Sequence, residues 1–137
     1  MSVMDTDTAT TSIQFTIKNY KLTKTDSLNE IYSSKHWRGR NEYAKGIHLF
    51  VNNAMKHAGL TKAKDVLFND RVDVVIEYPE DGLDIDNHGY FSKCIIDAMK
   101  GVVVKDDNPK RIKSLYQTFA DRDNILVTVV MVEDNSD

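Results

Sequence analysis

Asp84-Ile85-Asp86-Asn87-His88-Gly89-Tyr90-Phe91-Ser92-Lys93-Cys94-Ile95-Ile96-Asp97-Ala98-Met99-Lys100-Gly101-Val102-Val103-Val104-Lys105-Asp106-Asp107 is the stretch that decides what this chain folds into and what it holds. Phe91, Cys94, Ile95, Ala98 and Met99 recur at three- and four-residue spacing, which predicts an amphipathic helix. Asp86 or Asn87 is expected to cap its start and Gly101 to end it. Lys93, Asp97 and Lys100 fall on the opposite, polar face. An acidic pair stands before the helix (Asp84, Asp86) and another after it (Asp106, Asp107). If the first pair lies on extended chain, its side chains point the same way, because strand side chains repeat with period two. Carboxylates brought together repel one another unless a cation sits between them. Oxygen-only donor sets suit hard ions such as Mg²⁺ or Mn²⁺. The residues therefore predict a divalent-metal site in which the second pair folds back on the first. An EF-hand is excluded, since its twelfth position would be Ile95 in place of a bidentate Glu.

Outward from this stretch, Val72, Val74, Ile76 and Tyr78 alternate with Asp73, Val75 and Glu77, which predicts a half-buried strand ended by Pro79-Glu80-Asp81-Gly82. Ser12 to Ile17 alternates as a first strand. Lys110 to Phe119 and Ile125 to Val132 read as two more. The last is apolar on both faces, so it belongs inside a sheet or at a subunit interface. Tyr43, Ile47, Phe50, Ala54 and Ala58 mark one face of a helix of about 16 residues, with Gly59 after it. Residues 19–40 show no clear period and read as a long functional loop. The fold expected is α+β: a small mixed sheet with two main helices packed on it, in one domain spanning 12–132. Acidic tails at 1–11 and 133–137 flank it.

The chain has 137 residues, enough for one well-buried domain. No apolar run nears the roughly 20 residues that span a bilayer, so no membrane association is expected. A single cysteine, Cys94, excludes an internal disulfide and a cysteine zinc site, and a reducing cytoplasm suits it. Cys94 lies on the apolar stripe and is expected in the core. His36, His48, His57 and His88 have no metal-ligand spacing, and His88 is expected at the surface.

The net charge of −3 hides a division. Ten Lys/Arg stand against three acids between residues 18 and 64, and eight against sixteen from residue 65 on. A basic end and a carboxylate end suit a protein that grips a polyanion and presents a metal to it. In Ser33-Ser34-Lys35-His36-Trp37-Arg38-Gly39-Arg40, bases flank the only tryptophan. Lys35, Arg38, Arg40 and Lys45 are the expected phosphate contacts, while Trp37 suits base stacking or core packing equally.

Taken together, Ser27-Leu28-Asn29, Asp84-Ile85-Asp86-Asn87, Lys93-Cys94-Ile95-Ile96-Asp97-Ala98-Met99 and Asp106-Asp107 resemble the RusA family of Holliday junction resolvases over residues 12–132. The family is carried largely by phages and prophages. The resemblance implies a homodimeric, Mg²⁺-dependent endonuclease, with Mn²⁺ as an alternative ion, that resolves four-way DNA junctions by paired symmetric nicks. It matches Asp84, Asp86 and Asp107 to the catalytic metal-binding carboxylates, with Asp106 supporting them, and Lys93 to the catalytic lysine. Five residues separate Asn87 from Lys93, a longer spacing than in the best known members. The lysine is placed by aligning Asp97-Ala98-Met99. A catalytically inactive module of the same fold that binds branched DNA is the alternative.

Overall fold

Four strands form one mixed sheet in the order β1-β4-β2-β3. The computed structural model describes residues 11–34, 36–61 and 66–132. Strand β1 is Ser12–Ile17, β2 Val72–Pro79, β3 Ile112–Ala120 and β4 Ile125–Met131. β4 runs antiparallel to both β1 and β2, whereas β2 and β3 are parallel. Parallel neighbours cannot be joined by a tight hairpin and need a crossover. The predicted helix supplies it, as α3, Gly89–Met99, between β2 and β3. The short link from β3 to β4 then passes the end of β2, where Arg122 Nε donates to Glu77 Oε1 at 3.2 Å. The doubly apolar last strand takes an inner place, as its pattern predicts.

Two further helices precede β2: α1, Leu28–Ser34, and α2, Trp37–His57. Ile47, Val51, Ala54 and Met55 of α2 and Phe91, Cys94, Ile95 and Met99 of α3 are buried. They share one cluster with Phe15, Val74, Ile76, Tyr78, Val127 and Val129 from the sheet. Each fully buried aliphatic or aromatic side chain there contributes roughly 1.5–3 kcal/mol by leaving water. The positive φ of Gly59 (81°) and Gly101 (86°) lets the chain leave α2 and α3 through a conformation that side chains with a Cβ resist.

Three expectations about elements are corrected here. Residues 19–40 are not one loop: a 3-10 turn at Lys24–Asp26, helix α1 and the start of α2 fill most of it. The hidden signal was tertiary. Leu22 and Ile31 are buried anchors, and Ser27 Oγ accepts from Glu30 N to begin α1. Helix α2 also starts at Trp37, before the apolar stripe begins at Tyr43. Lastly, Lys110 precedes β3 in a turn, where its backbone N–H donates to Asn108 Oδ1. The expected tails lie outside the described residues except for Thr11. Among the described residues, no helix is long and apolar enough to cross a membrane.

Candidate functional site

The acidic motif does not lie on a strand. Asp84 is extended (φ −66°, ψ 153°), but Ile85–His88 closes at once into a 3-10 turn that feeds α3. Asp84 and Asp86 are therefore not an i, i+2 pair on one strand face. Both are exposed, and neither carboxylate has a partner among the described residues. Nor does Asp86 or Asn87 cap α3, which begins after His88 with no side-chain cap. Asn87 caps another helix: its Oδ1 accepts from Asn29 N at 3.1 Å. The first turn of α1 is thus satisfied from two sides, by Ser27 and by Asn87. This is how Ser27-Leu28-Asn29 and the acidic motif come together in space.

His88 is the clearest correction. It is fully buried, not at the surface. Its Nε2 meets Asp81 Oδ2 at 2.7 Å, with both side chains at 0 % exposure. Its Nδ1 faces Asp84 O at 3.0 Å, and the carbonyl oxygen can only accept. Nδ1 is therefore the side of the ring that donates to the backbone, and Nε2 is the side that meets the Asp81 carboxylate. Tyr78 and Phe119 pack against the ring at 4.4 and 5.2 Å. The imidazole holds the acidic turn down on the sheet. Nothing in the spacing of Asp81 and His88 announced it, because the chain between them follows no regular period.

Along α3 the polar face is as predicted. Lys93 Nζ donates to Asp97 Oδ2 at 2.9 Å, and Lys100 Nζ lies 3.4 Å from Asp97 Oδ1. Lys100 also reaches Asp107 Oδ2 at 3.2 Å. The hydrogen bond to Asp97 holds the Lys93 ammonium above the usual lysine range, and that to Asp107 does the same for Lys100. For Asp107, desolvation pulls upward but the hydrogen bonds from Lys100 and the neighbouring groups outweigh it, leaving its carboxyl below the usual range. Asp106 is spent locally, accepting from Asp107 N at 2.8 Å and Asn108 Nδ2 at 3.2 Å. Cys94 is in the core as expected, its thiol pushed up to about 12 by burial.

The chain after α3 does fold back. Asp107 and Lys93 line one open cleft of about 360 Å³ with Gly89, Ile96, Ile112, Lys113, Ser114 and Leu115. Asp86 opens instead into a hollow of about 410 Å³ with Leu28, Asn29, Tyr32 and Asn87. The two depressions both border the start of α3. The expected closure of Asp84, Asp86 and Asp107 on one ion is not present in this conformation. Among the described residues, no group of three His, Cys, Asp or Glu is placed to hold a metal. The donor chemistry suits a hard cation, while Lys100 supplies the positive charge that Asp107 meets.

Of the expected phosphate contacts, Lys35 lies outside the described residues. Arg38 and Arg40 stand at the start of α2, with their guanidinium groups over Trp37 (5.9 Å) and Tyr32 (5.0 Å). Lys45 is exposed and lies 3.7 Å from Glu42. Trp37 is 63 % exposed, which decides against core packing. Sequence reasoning passed over Tyr32, 54 % exposed at the rim of the Asp86 hollow. An aromatic at helical spacing from Leu28 was its only signal.

No family model, no curated protein and no solved structure matches this chain.

Proposed function

We propose that this chain is a metal-dependent endodeoxyribonuclease that resolves four-way DNA junctions as a homodimer in the cytoplasm of a bacterial host. The observation that carries the reading is the return of Asp107 to the cleft that holds Lys93, beside the turn bearing Asp84 and Asp86. Asp107 from beyond α3 and Asp86 from before it thereby line two hollows that border the start of α3, which supports the reading. Asp84, Asp86 and Asp107 would hold Mg²⁺ or Mn²⁺, with Asp107 exchanging Lys100 for the ion. A divalent ion bound there supplies an acidified water and neutralises charge on the phosphate.

The chain's own residues do the rest. Lys93, kept cationic by Asp97, offers positive charge to a phosphate entering the cleft. Arg40, over the Tyr32 ring, and Arg38, over the Trp37 ring, suit neighbouring phosphates. His88, through Asp84 O, keeps the acidic turn in place. Two equivalent subunits suit a substrate with two equivalent strands to cut.

One observation favours the alternative, a branched-DNA-binding module without activity: Asp107 is paired with Lys100 and the carboxylates are not gathered. A synthetic four-way junction separates the two readings. The nuclease reading expects paired nicks with Mg²⁺, none with chelator, and loss of cutting with retained binding in Asp86→Asn and in Asp107→Asn. Binding without nicking by the wild-type protein favours the module. Wild-type rates in either variant overturn the assignment of those carboxylates.

A further inference from the structure

We propose that the hollow between Tyr32 and Asp86 seats one unpaired nucleotide of a DNA substrate stacked on Tyr32, with Trp37, three residues from the Arg40 that covers Tyr32, as the stacking surface for a neighbouring base. The assignment rests on the nuclease reading only for the chemistry at Asp86. Its own support is geometric. Tyr32 is more than half exposed, yet it is not loose: its ring meets the buried Tyr90 edge to face at 5.6 Å. Tyr90 in turn packs on Tyr43 at 5.9 Å. Ring and hollow are held in register by the Asn87–Asn29 hydrogen bond, which ties the acidic turn to α1.

Both exposed rings have a guanidinium over them, and among the described residues they are the only aromatic rings that do. Phe50 on α2 and Tyr116 on β3, also exposed, lack this feature. Trp37 and Arg40 are three residues apart on one helix, so they share a face, with Arg40 bridging to Tyr32. Aromatic rings interleaved with arginine are the composition of surfaces that bind single strands, because every base has a π face and every linkage a charge.

The lining also favours a base over a phosphate. Asp86 repels a phosphate in the absence of a cation, whereas Asn29 and Asn87 carry amides that suit base edges. A base stacked within intact duplex cannot enter a recess between side chains, but one splayed at a branch point can. The hollow would therefore make the protein choose DNA with unpaired bases beside the phosphate to be cut.

The test is a binding titration in EDTA, so that it does not depend on cleavage. Wild-type protein is titrated with a duplex carrying a short unpaired stretch and with a fully paired duplex of equal length. The readouts are anisotropy of labelled DNA and the fluorescence of Trp37, the only tryptophan. Tighter binding of the unpaired substrate, with quenching of Trp37, is expected. Tyr32→Ala should weaken that binding about ten-fold, the loss of one stacked base, and leave the paired duplex unchanged. Tyr32→Phe should restore it. Equal affinity of Tyr32→Ala and wild type for the unpaired substrate overturns the seat, as does an equal loss on both DNAs. If the seat behaves as stated but no junction is nicked with Mg²⁺, the nuclease reading fails alone.

Discussion

Asp81→Ala removes the buried partner of His88, and the structure sets how much that should cost. Both side chains have 0 % exposure, their contact is 2.7 Å, and the ring is enclosed by Tyr78 and Phe119. Truncating one member of a buried hydrogen-bonded pair leaves the other without compensation, which costs about 3–5 kcal/mol. Asp81 Oδ1 also accepts from Leu83 N at 3.0 Å, so the variant loses a turn contact as well. Against a typical domain stability of about 5–15 kcal/mol, this is a large fraction. For a chain of this size it corresponds to a fall in Tm of roughly 10–20 °C. Asp81→Asn keeps an acceptor for Leu83 and should cost only about 1–2 kcal/mol. Urea unfolding followed by circular dichroism measures each value, and Asp81→Ala with His88→Ala completes a double-mutant cycle. The two losses should be strongly non-additive, since either single change breaks the same contact. Should Asp81→Ala unfold within about 0.5 kcal/mol of wild type, or the cycle prove additive, the pair does not hold the acidic turn.

Lys100→Gln removes the cation that meets Asp107 and leaves Lys93 paired to Asp97. Under the proposed function its Mn²⁺ affinity, read by electron paramagnetic resonance, should rise several-fold, and an unchanged affinity would detach Lys100 from the metal site. Cys94 should not react with a thiol reagent at pH 8 unless the protein unfolds, because burial pushes its thiol from an ordinary 9.0 up to about 12. Below about pH 9 both folded and unfolded chains keep the proton; above it only the unfolded chain releases it. Stability should therefore decline as pH rises from about 9 to 12, and less so in Cys94→Ala. Rapid labelling of the native protein at pH 8 would contradict the burial.

Helical and strand periods were plain wherever one side chain in two, or in three and four, faces a single core. Phe91, Cys94, Ile95 and Met99 made α3 legible, as Val72, Val74, Ile76 and Tyr78 made β2. The apolar run of β4 allowed an inner place or a subunit interface, and the sheet order gives it the inner place. Helix α1 escaped because it is short and shows the core little beyond Ile31, while its caps come from Ser27 and from the distant Asn87. For the site, local pattern named the acidic and basic residues and the polar face of α3. Pattern had no access to partners far apart along the chain.

Sequence alone thus determined most of the segments that bury a face, which helix carries Lys93 and Asp97 with Lys100 at its end, and that carboxylates stand on both sides of it. Tertiary structure decided the rest. It buried His88 on Asp81, turned Asn87 to cap α1, set Lys100 against Asp107 and placed Tyr32 beside Asp86. Periodicity reports only the balance of water and core along one element. Hydrogen bonds and ion pairs depend on where another element's atoms come to rest, and no local period encodes that position.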